Sequence, residues 1–229
     1  VRIGILVAMQ EEFQPLVARL ADVRKGEAAR RPVVHGRLGA QEVTLIAAGV
    51  GKVNAAMAAQ ILIDRYAVSA LYLTGVAGGV APGLRPGDVV VADEVLQHDV
   101  DSTPLGFAPG EIPFADRWSF PTDERLRARL LGAVEAVTGK PPLVGRIVSG
   151  DRFVADREEV LRLRERFRAA AVEMEGGALG QVAWANGIPF AVLRTVSDTA
   201  DGEAPRDFTA FLAESAERAA RILVRAIAG

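Results

Sequence analysis

Lys52–Tyr66, KVNAAMAAQILIDRY, runs after a short gap into Ala70–Gly79, ALYLTGVAGG, and these two stretches decide the fold. In the first, apolar Val53, Ala56, Met57, Ile61 and Leu62 recur at roughly 3.6-residue spacing, which predicts an amphipathic helix. In the second, Ala70–Leu73 is a short unbroken apolar run, the pattern of a strand covered on both faces. It ends in the glycine-rich segment Thr74-Gly75-Val76-Ala77-Gly78-Gly79. A helix feeding straight into a buried strand is the unit from which α/β sheets are built.

The alternation continues outward in both directions. Towards the N-terminus, Arg2–Val7 reads as a strand, Gln10–Leu20 as a helix, and Pro32–Leu38 with Glu42–Ala48 as a hairpin around Gly39-Ala40. Towards the C-terminus, the turn Arg85-Pro86-Gly87 introduces a strand at Asp88–Leu96. Helix Asp123–Val137, strand Leu143–Val148, helix Asp156–Phe167 and strand Ala170–Val172 follow. Helix Glu175–Asn186, strand Ile188–Val196 and helix Asp207–Ile227 complete the chain. Only His98–Ser119, rich in Pro, Gly, Asp and Phe, lacks periodicity, and a loop that long is usually functional or an interface element. With no repeat and no linker, one α/β domain over residues 1–229 is expected.

Composition narrows the function. A chain of 229 residues can bury roughly 70% of its unfolded surface, so it needs no staple. It has no cysteine, which removes disulfides, thiolate zinc sites and thiol nucleophiles, and fits a reducing, cytoplasmic setting. No apolar run approaches the roughly 20 residues of a membrane span, and Val1–Val7 is short for a signal peptide. A formal charge of −2 argues against nucleic acid or an anionic membrane as partner.

Ligands of α/β sheets collect beyond the carboxyl ends of the strands. Those ends carry Met9-Gln10-Glu11-Glu12, Gly49-Val50-Gly51-Lys52, Thr74–Gly79, Ser149-Gly150-Asp151-Arg152-Phe153-Val154, Glu173-Met174-Glu175 and Arg194-Thr195-Val196-Ser197-Asp198. Acids, small residues and an aromatic dominate, which suits acid/base work on a flat polar organic ligand. The glycines match neither the dinucleotide fingerprint nor the P-loop. They serve either tight turns or close backbone approach to a ligand. The two-residue strand period puts Glu173 and Glu175 on one face, where vicinal ribose hydroxyls are natural partners. Glu173 equally suits the start of a helix, where an acid offsets the macrodipole.

Together, Ala8–Glu12, Gly49–Val53, Thr74–Gly79, Val148–Asp151, Val172–Glu175 and Ser197-Asp198 resemble the marker segments of the 5′-methylthioadenosine/S-adenosylhomocysteine nucleosidases. Six segments in the family's order span Arg2 to about Phe211. The resemblance implies a three-layer α/β/α sandwich around a mixed, partly barrel-like sheet, as in nucleoside phosphorylases. It also implies a homodimer that uses no metal or cofactor. It makes Glu12 the base that activates water and Asp198 the acid that protonates the purine. It gives Glu175 the ribose hydroxyls, with Met174 beneath the sugar, Glu173 close by and Arg194 near the water. It stacks Phe153 on the base and offers the Val154 backbone to the purine edge. Met9 and Val50 line the sugar and 5′ region, and Gly78, Ser197 and Phe208 complete the pocket. Leu105, Phe107 and Pro113 would close the 5′-thio end of a partner subunit's site. Many members carry Ser where this chain has Val76; others carry Val, including some associated with aminofutalosine cleavage.

The chemistry suits two carboxylates. Breaking an N-glycosidic bond leaves an oxocarbenium-like sugar and an electron-rich purine that must be protonated. An Asp with an unperturbed pKa near ~3.9 donates at neutral pH only where its surroundings favour the neutral form. A second carboxylate can take a proton from the attacking water, the division of labour seen in glycoside hydrolysis. A phosphorylase of the same superfamily would instead need a cationic phosphate cradle where this chain carries Glu11, Glu12 and Thr74-Gly75-Val76. A non-catalytic nucleoside-binding domain would not need Glu12 and Asp198. A futalosine or aminofutalosine hydrolase uses the same machinery, and the residues do not separate it from a broader nucleosidase.

Overall fold

The computed structural model describes residues 2–200 and 204–229. Ten strands form one mixed sheet: β1 (Arg2–Val7), β2 (Ala21–Ala28), β3 (Arg31–Leu38), β4 (Gln41–Ala47), β5 (Ala70–Gly79), β6 (Val89–Gln97), β7 (Ser119–Pro121), β8 (Leu143–Ser149), β9 (Ala169–Glu173) and β10 (Phe190–Asp198). The helices are α1 (Gln10–Val17), α2 (Lys52–Tyr66), α3 (Glu124–Thr138), α4 (Arg157–Phe167), α5 (Gly176–Ala185) and α6 (Ala204–Ala228). Among the described residues, no helix is long and apolar enough to cross a membrane.

β5 organises the sheet, and all of its residues are buried. Its first half lies parallel to β1, with Ile3 opposite Ala70 and Leu6 opposite Leu73. From Leu71 to Gly78 it runs beside β10, and its last two residues, Gly78 and Gly79, pair antiparallel with Val172 and Ala171 of β9. β10, β6, β8, β9 and β5 thereby close into a barrel, while β1, β4, β3 and β2 extend from it as an open wing. Thr74–Gly79 is therefore strand and not turn. Its glycines answer crowding: a Cβ at Gly78 would lie 2.8 Å from Ala200 Cβ and 3.3 Å from Val172 Cγ1.

The strand alternation sorts the core into layers. Tyr72, Val91 and Leu193 face α1, α3 and α6 through Phe13, Leu16, Leu130, Ile222 and Leu223. Leu71, Leu73, Val90 and Val192 face α2 and α5 through Ala58, Leu62, Leu179 and Ala183. A third cluster seats Val160, Leu163 and Phe167 of α4 against Leu96, Val148 and Ala169. The result is the expected three-layer sandwich with a partly barrel-like centre.

Several elements differ from the sequence reading. The first helix stops at Val17, not Leu20, and β2 begins only a few residues later. β2 is exposed up to its last residue, so it has no hydrophobic pattern. It exists because Ala29 and Arg30, with φ of +50° and +57°, turn the chain tightly into β3; paired positive φ values are what such hairpins require. Within His98–Ser119, Thr103–Leu105 forms one 3-10 turn, and β7 begins at Ser119 to pair with β6. The last helix starts at Ala204 instead of Asp207.

Candidate active site

A cavity of about 320 Å³ opens where the barrel strands end. Glu12 enters it from the first turn of α1 and is 2% exposed. Its Oε2 accepts the N–H groups of Ala8 at 2.9 Å and Met9 at 3.0 Å, and its Oε1 accepts Val76 N–H at 3.1 Å. A solvated first-turn acid would make none of these contacts at depth. Burial raises its pKa above the ordinary value, against the opposing pull of Arg194 and the three backbone donors.

Arg194, in the middle of β10, is wholly buried and forms the hub of the floor. It pairs with Glu173 and, at 3.1 Å, with Glu175. Burial opposes its charge, but Glu173, Glu175 and Glu12 outweigh that and lift its pKa further. One cation thus serves three carboxylates. Glu175 is pushed up to about 7, chiefly by burial, with Arg194 pulling down and Glu173 and Glu12 pushing up.

The paired acids at Glu173-Met174-Glu175 meet at Arg194, yet they hold different posts. Glu175 lies beyond the strand, at the N-cap of α5, and its Oε1 accepts Gly51 N–H at 2.8 Å. Glu173 accepts Gly176 N–H at 2.9 Å and Glu175 N–H at 3.2 Å, so it caps α5 as well as binding Arg194. Ser149 helps by donating to Glu173 and accepting Gly177 N–H at 2.6 Å.

Asp198 ends β10 and is 2% exposed. Its Oδ2 accepts the Ser197 hydroxyl at 2.8 Å and its Oδ1 accepts Ala200 N–H at 2.8 Å. The carboxylates of Glu12 and Asp198 lie against different points of β5: Glu12 abuts Gly75 and Asp198 abuts Gly78. Three residues of strand rise separate those points, roughly 10 Å.

Met9, Val50, Gly78, Phe153, Val154, Met174, Ser197 and Phe208 all line the same cavity. Phe153 stands half-exposed at its mouth, edge-on to Phe208 with ring centroids 5.7 Å apart. Ala8, Val76, Ala77, Arg152 and Val172 also line it; small or apolar, most of these offered no chemical signal in the sequence. Asn54 also escaped the sequence reading. It donates to Val50 O at 2.7 Å and accepts from Arg31 at 2.9 Å, bracing the loop before α2. Leu105, Phe107 and Pro113 stand away from this cavity. Leu105 is 73% exposed, and Phe107 packs edge-on to Phe114.

The sequence matches the phosphorylase superfamily over residues 2–228. A 5′-methylthioadenosine/S-adenosylhomocysteine nucleosidase of Marinomonas sp. is 36% identical over 228 residues, covering 99% of this chain and 98% of the relative. The solved nucleosidase of that name from Neisseria meningitidis, in complex with methylthio-immucillin-A, superposes with a TM-score of 0.96 at 35% identity, covering 99% and 98% of the two chains. The native structure of a futalosine hydrolase from Helicobacter pylori gives 0.94 at 33% identity, covering 99% and 97%. Full-length similarity on the same barrel and wing places the chain in the phosphorylase superfamily and, within it, in the 5′-methylthioadenosine/S-adenosylhomocysteine nucleosidase family.

Proposed function

We propose that this chain, as a single domain, hydrolyses the N-glycosidic bond of 5′-methylthioadenosine and S-adenosylhomocysteine, releasing adenine and the 5′-thioribose. The observation that carries the reading is the placement of two buried carboxylates, Glu12 and Asp198, at separate points of one nucleoside-sized cavity. Glu12 takes a proton from water as the oxygen bonds to the sugar's anomeric carbon. The carbon–nitrogen bond breaks, and Asp198 gives its proton to the purine. Glu175 accepts the ribose hydroxyls, with Met174 below the sugar and Arg194 holding the acids in place. Phe153 stacks on the base. The site works without metal or cofactor.

A phosphorylase reading fares worse on charge. Phosphate needs cationic donors beside the sugar, and the buried Arg194 guanidinium is already engaged by Glu173 and Glu175, while Arg152, the other cation lining the cavity, is exposed beside Phe153. A narrower futalosine or aminofutalosine hydrolase is the second reading, favoured by the similarity to the Helicobacter pylori structure. Adenine release from methylthioadenosine, S-adenosylhomocysteine and aminofutalosine, with and without phosphate, separates the three. Turnover of methylthioadenosine to free methylthioribose, indifferent to phosphate, is expected. Ribose 1-phosphate products would overturn hydrolysis, and turnover of aminofutalosine alone would establish the narrow enzyme.

The enzyme acts as a homodimer in which Leu105, Phe107 and Pro113 of a second copy close the 5′-thio end. In the loop that carries these residues, Leu105 is 73% exposed and Phe114, packed edge-on to Phe107, is 94% exposed, and apolar side chains gathered on one loop suit a covering partner surface. Sedimentation at assay concentration should give a dimer; a fully active monomer would defeat this assembly.

A further inference from the structure

Two walls of the cavity are held together by a side chain that lies outside it. Val50 belongs to the sugar-side wall, and Phe153 and Val154 belong to the base-side wall. Just beyond them, Lys52 N–H donates to Asp151 Oδ1 at 2.8 Å. Asp99, past the end of β6, completes the cluster. Its Oδ1 accepts Lys52 Nζ at 2.6 Å and its Oδ2 accepts Asp151 N–H at 2.9 Å. Both side chains are partly withdrawn from water, 19% exposed for Lys52 and 30% for Asp99, so the pair is screened less than an open surface pair.

Gly51 transmits the geometry. With φ of +100°, it passes so close to Asp151 that a Cβ there would lie 3.0 Å from Asp151 Oδ1. Its own N–H donates to Glu175. A displaced Asp151 would therefore disturb Gly51 and Glu175 on one side and Phe153 on the other. We propose that Asp99 is a positioning residue for the hydrolysis, acting through Lys52 and Asp151 to fix the sugar-side and base-side walls relative to each other. The inference rests on the nucleosidase reading above. Because Asp99 does not line the cavity, its loss should loosen the grip on both ends of the nucleoside and leave the reacting carboxylates in place. The effect belongs in KM more than in kcat.

The test is steady-state adenine release from methylthioadenosine by wild type, Asp99→Asn, Lys52→Met, the double variant and Lys52→Arg. Loss of binding that is equal in ground and transition states raises KM and leaves kcat unchanged, so Asp99→Asn and Lys52→Met should each raise KM about tenfold or more with kcat held within about threefold. Removing one unit twice costs no more than removing it once, so the double variant should be no worse than the weaker single. Lys52→Arg keeps the cation and should lose less than Lys52→Met. A purely structural role would lower kcat through lost folded enzyme, leave KM alone and follow the thermal midpoint; that pattern overturns the proposal. Wild-type KM in Asp99→Asn, or losses that add in the double variant, overturn it too. Absence of adenine release by the wild type would instead defeat the nucleosidase reading, and this inference with it.

Discussion

Glu12 fills the space that a side chain at Gly75 would need. A Cβ built on Gly75 would fall 2.8 Å from Glu12 Cδ and 2.5 Å from Arg194 Nη1, and closer still to Glu12 Oε1. The close approach that this glycine permits is made by the enzyme's own carboxylate, packed against β5 where Val76 N–H holds it. Gly75→Ala should therefore push Glu12 out of position, and with it the Arg194 guanidinium, on a backbone whose φ of +151° itself disfavours a side chain, so its kcat is read per folded molecule. If Glu12 is the base, kcat falls at least ~10²-fold, the lower share of general base catalysis, or about 2.7 kcal/mol. Glu12→Gln should lose as much, and the double variant little more. Gly75→Ala with near wild-type kcat would remove Glu12 from the chemistry.

Arg194 is a buried cation set among three buried acids, Glu12, Glu173 and Glu175. Taking one partner from a buried ion pair leaves charge uncompensated, at a cost of about 3–5 kcal/mol. For a chain of this length that lowers the melting temperature by roughly 10 °C. Arg194→Met should show this drop by thermal melting at pH 8, and adding Glu173→Gln should recover part of it. A midpoint unchanged in Arg194→Met would mean that Glu173 and Glu175 do not depend on it.

Much of this site was legible because its acids stand at or just beyond strand ends, where hydrophobic runs stop. Glu12, Glu175 and Asp198 each follow or end such a run. Other features carried no local pattern. β2 is polar along nearly its whole length and is specified by its turn and its pairing with β3. The tail of β5 fell outside the expected strand because its glycines answer a crowd of neighbours from β9 and the segment after β10, distant in sequence. The same limit hid Asp99, Lys52 and Asp151, whose mutual bonds span 47 to 99 positions of chain. Glu173 fitted both a ribose contact and a helix cap, and the structure gives it the cap and Arg194.

Glu175 sets a pH dependence whose sign follows from its surroundings. Its ordinary value is 4.5 and its folded value about 7, raised mainly by burial. Between these the folded state keeps a proton that the unfolded chain gives up. The stability from this group is complete below about pH 4.5 and is lost as pH rises through about 7. A neutral amide escapes that loss. Glu175→Gln should therefore melt above the wild type at pH 8, with the gap narrowing towards pH 5, while its activity falls through the weakened ribose contact. A variant that melts below wild type by the same margin at both pH values would show that the carboxylate is not destabilised by its site.

Asp198 offers the sharpest separation of catalysis from scaffolding, because its carboxylate also ties down a turn. Oδ1 accepts Ala200 N–H and Oδ2 accepts the Ser197 hydroxyl. Asp198→Asn keeps an oxygen for Ala200 and nearly the same shape, so the backbone contact survives. The lost capping contribution is typically about 1 kcal/mol. An amide cannot hand a proton to the departing purine, and a general acid is worth at least ~10²-fold. Substrate binding, which needs no proton transfer, should persist. The expected result is a kcat reduced at least ~10²-fold beside a nearly unchanged Kd for methylthioadenosine and a melting temperature within a few degrees of wild type. Near wild-type turnover would strip Asp198 of its role as the acid. Collapse of the melting temperature with kcat per folded molecule intact would make it a turn cap and nothing more.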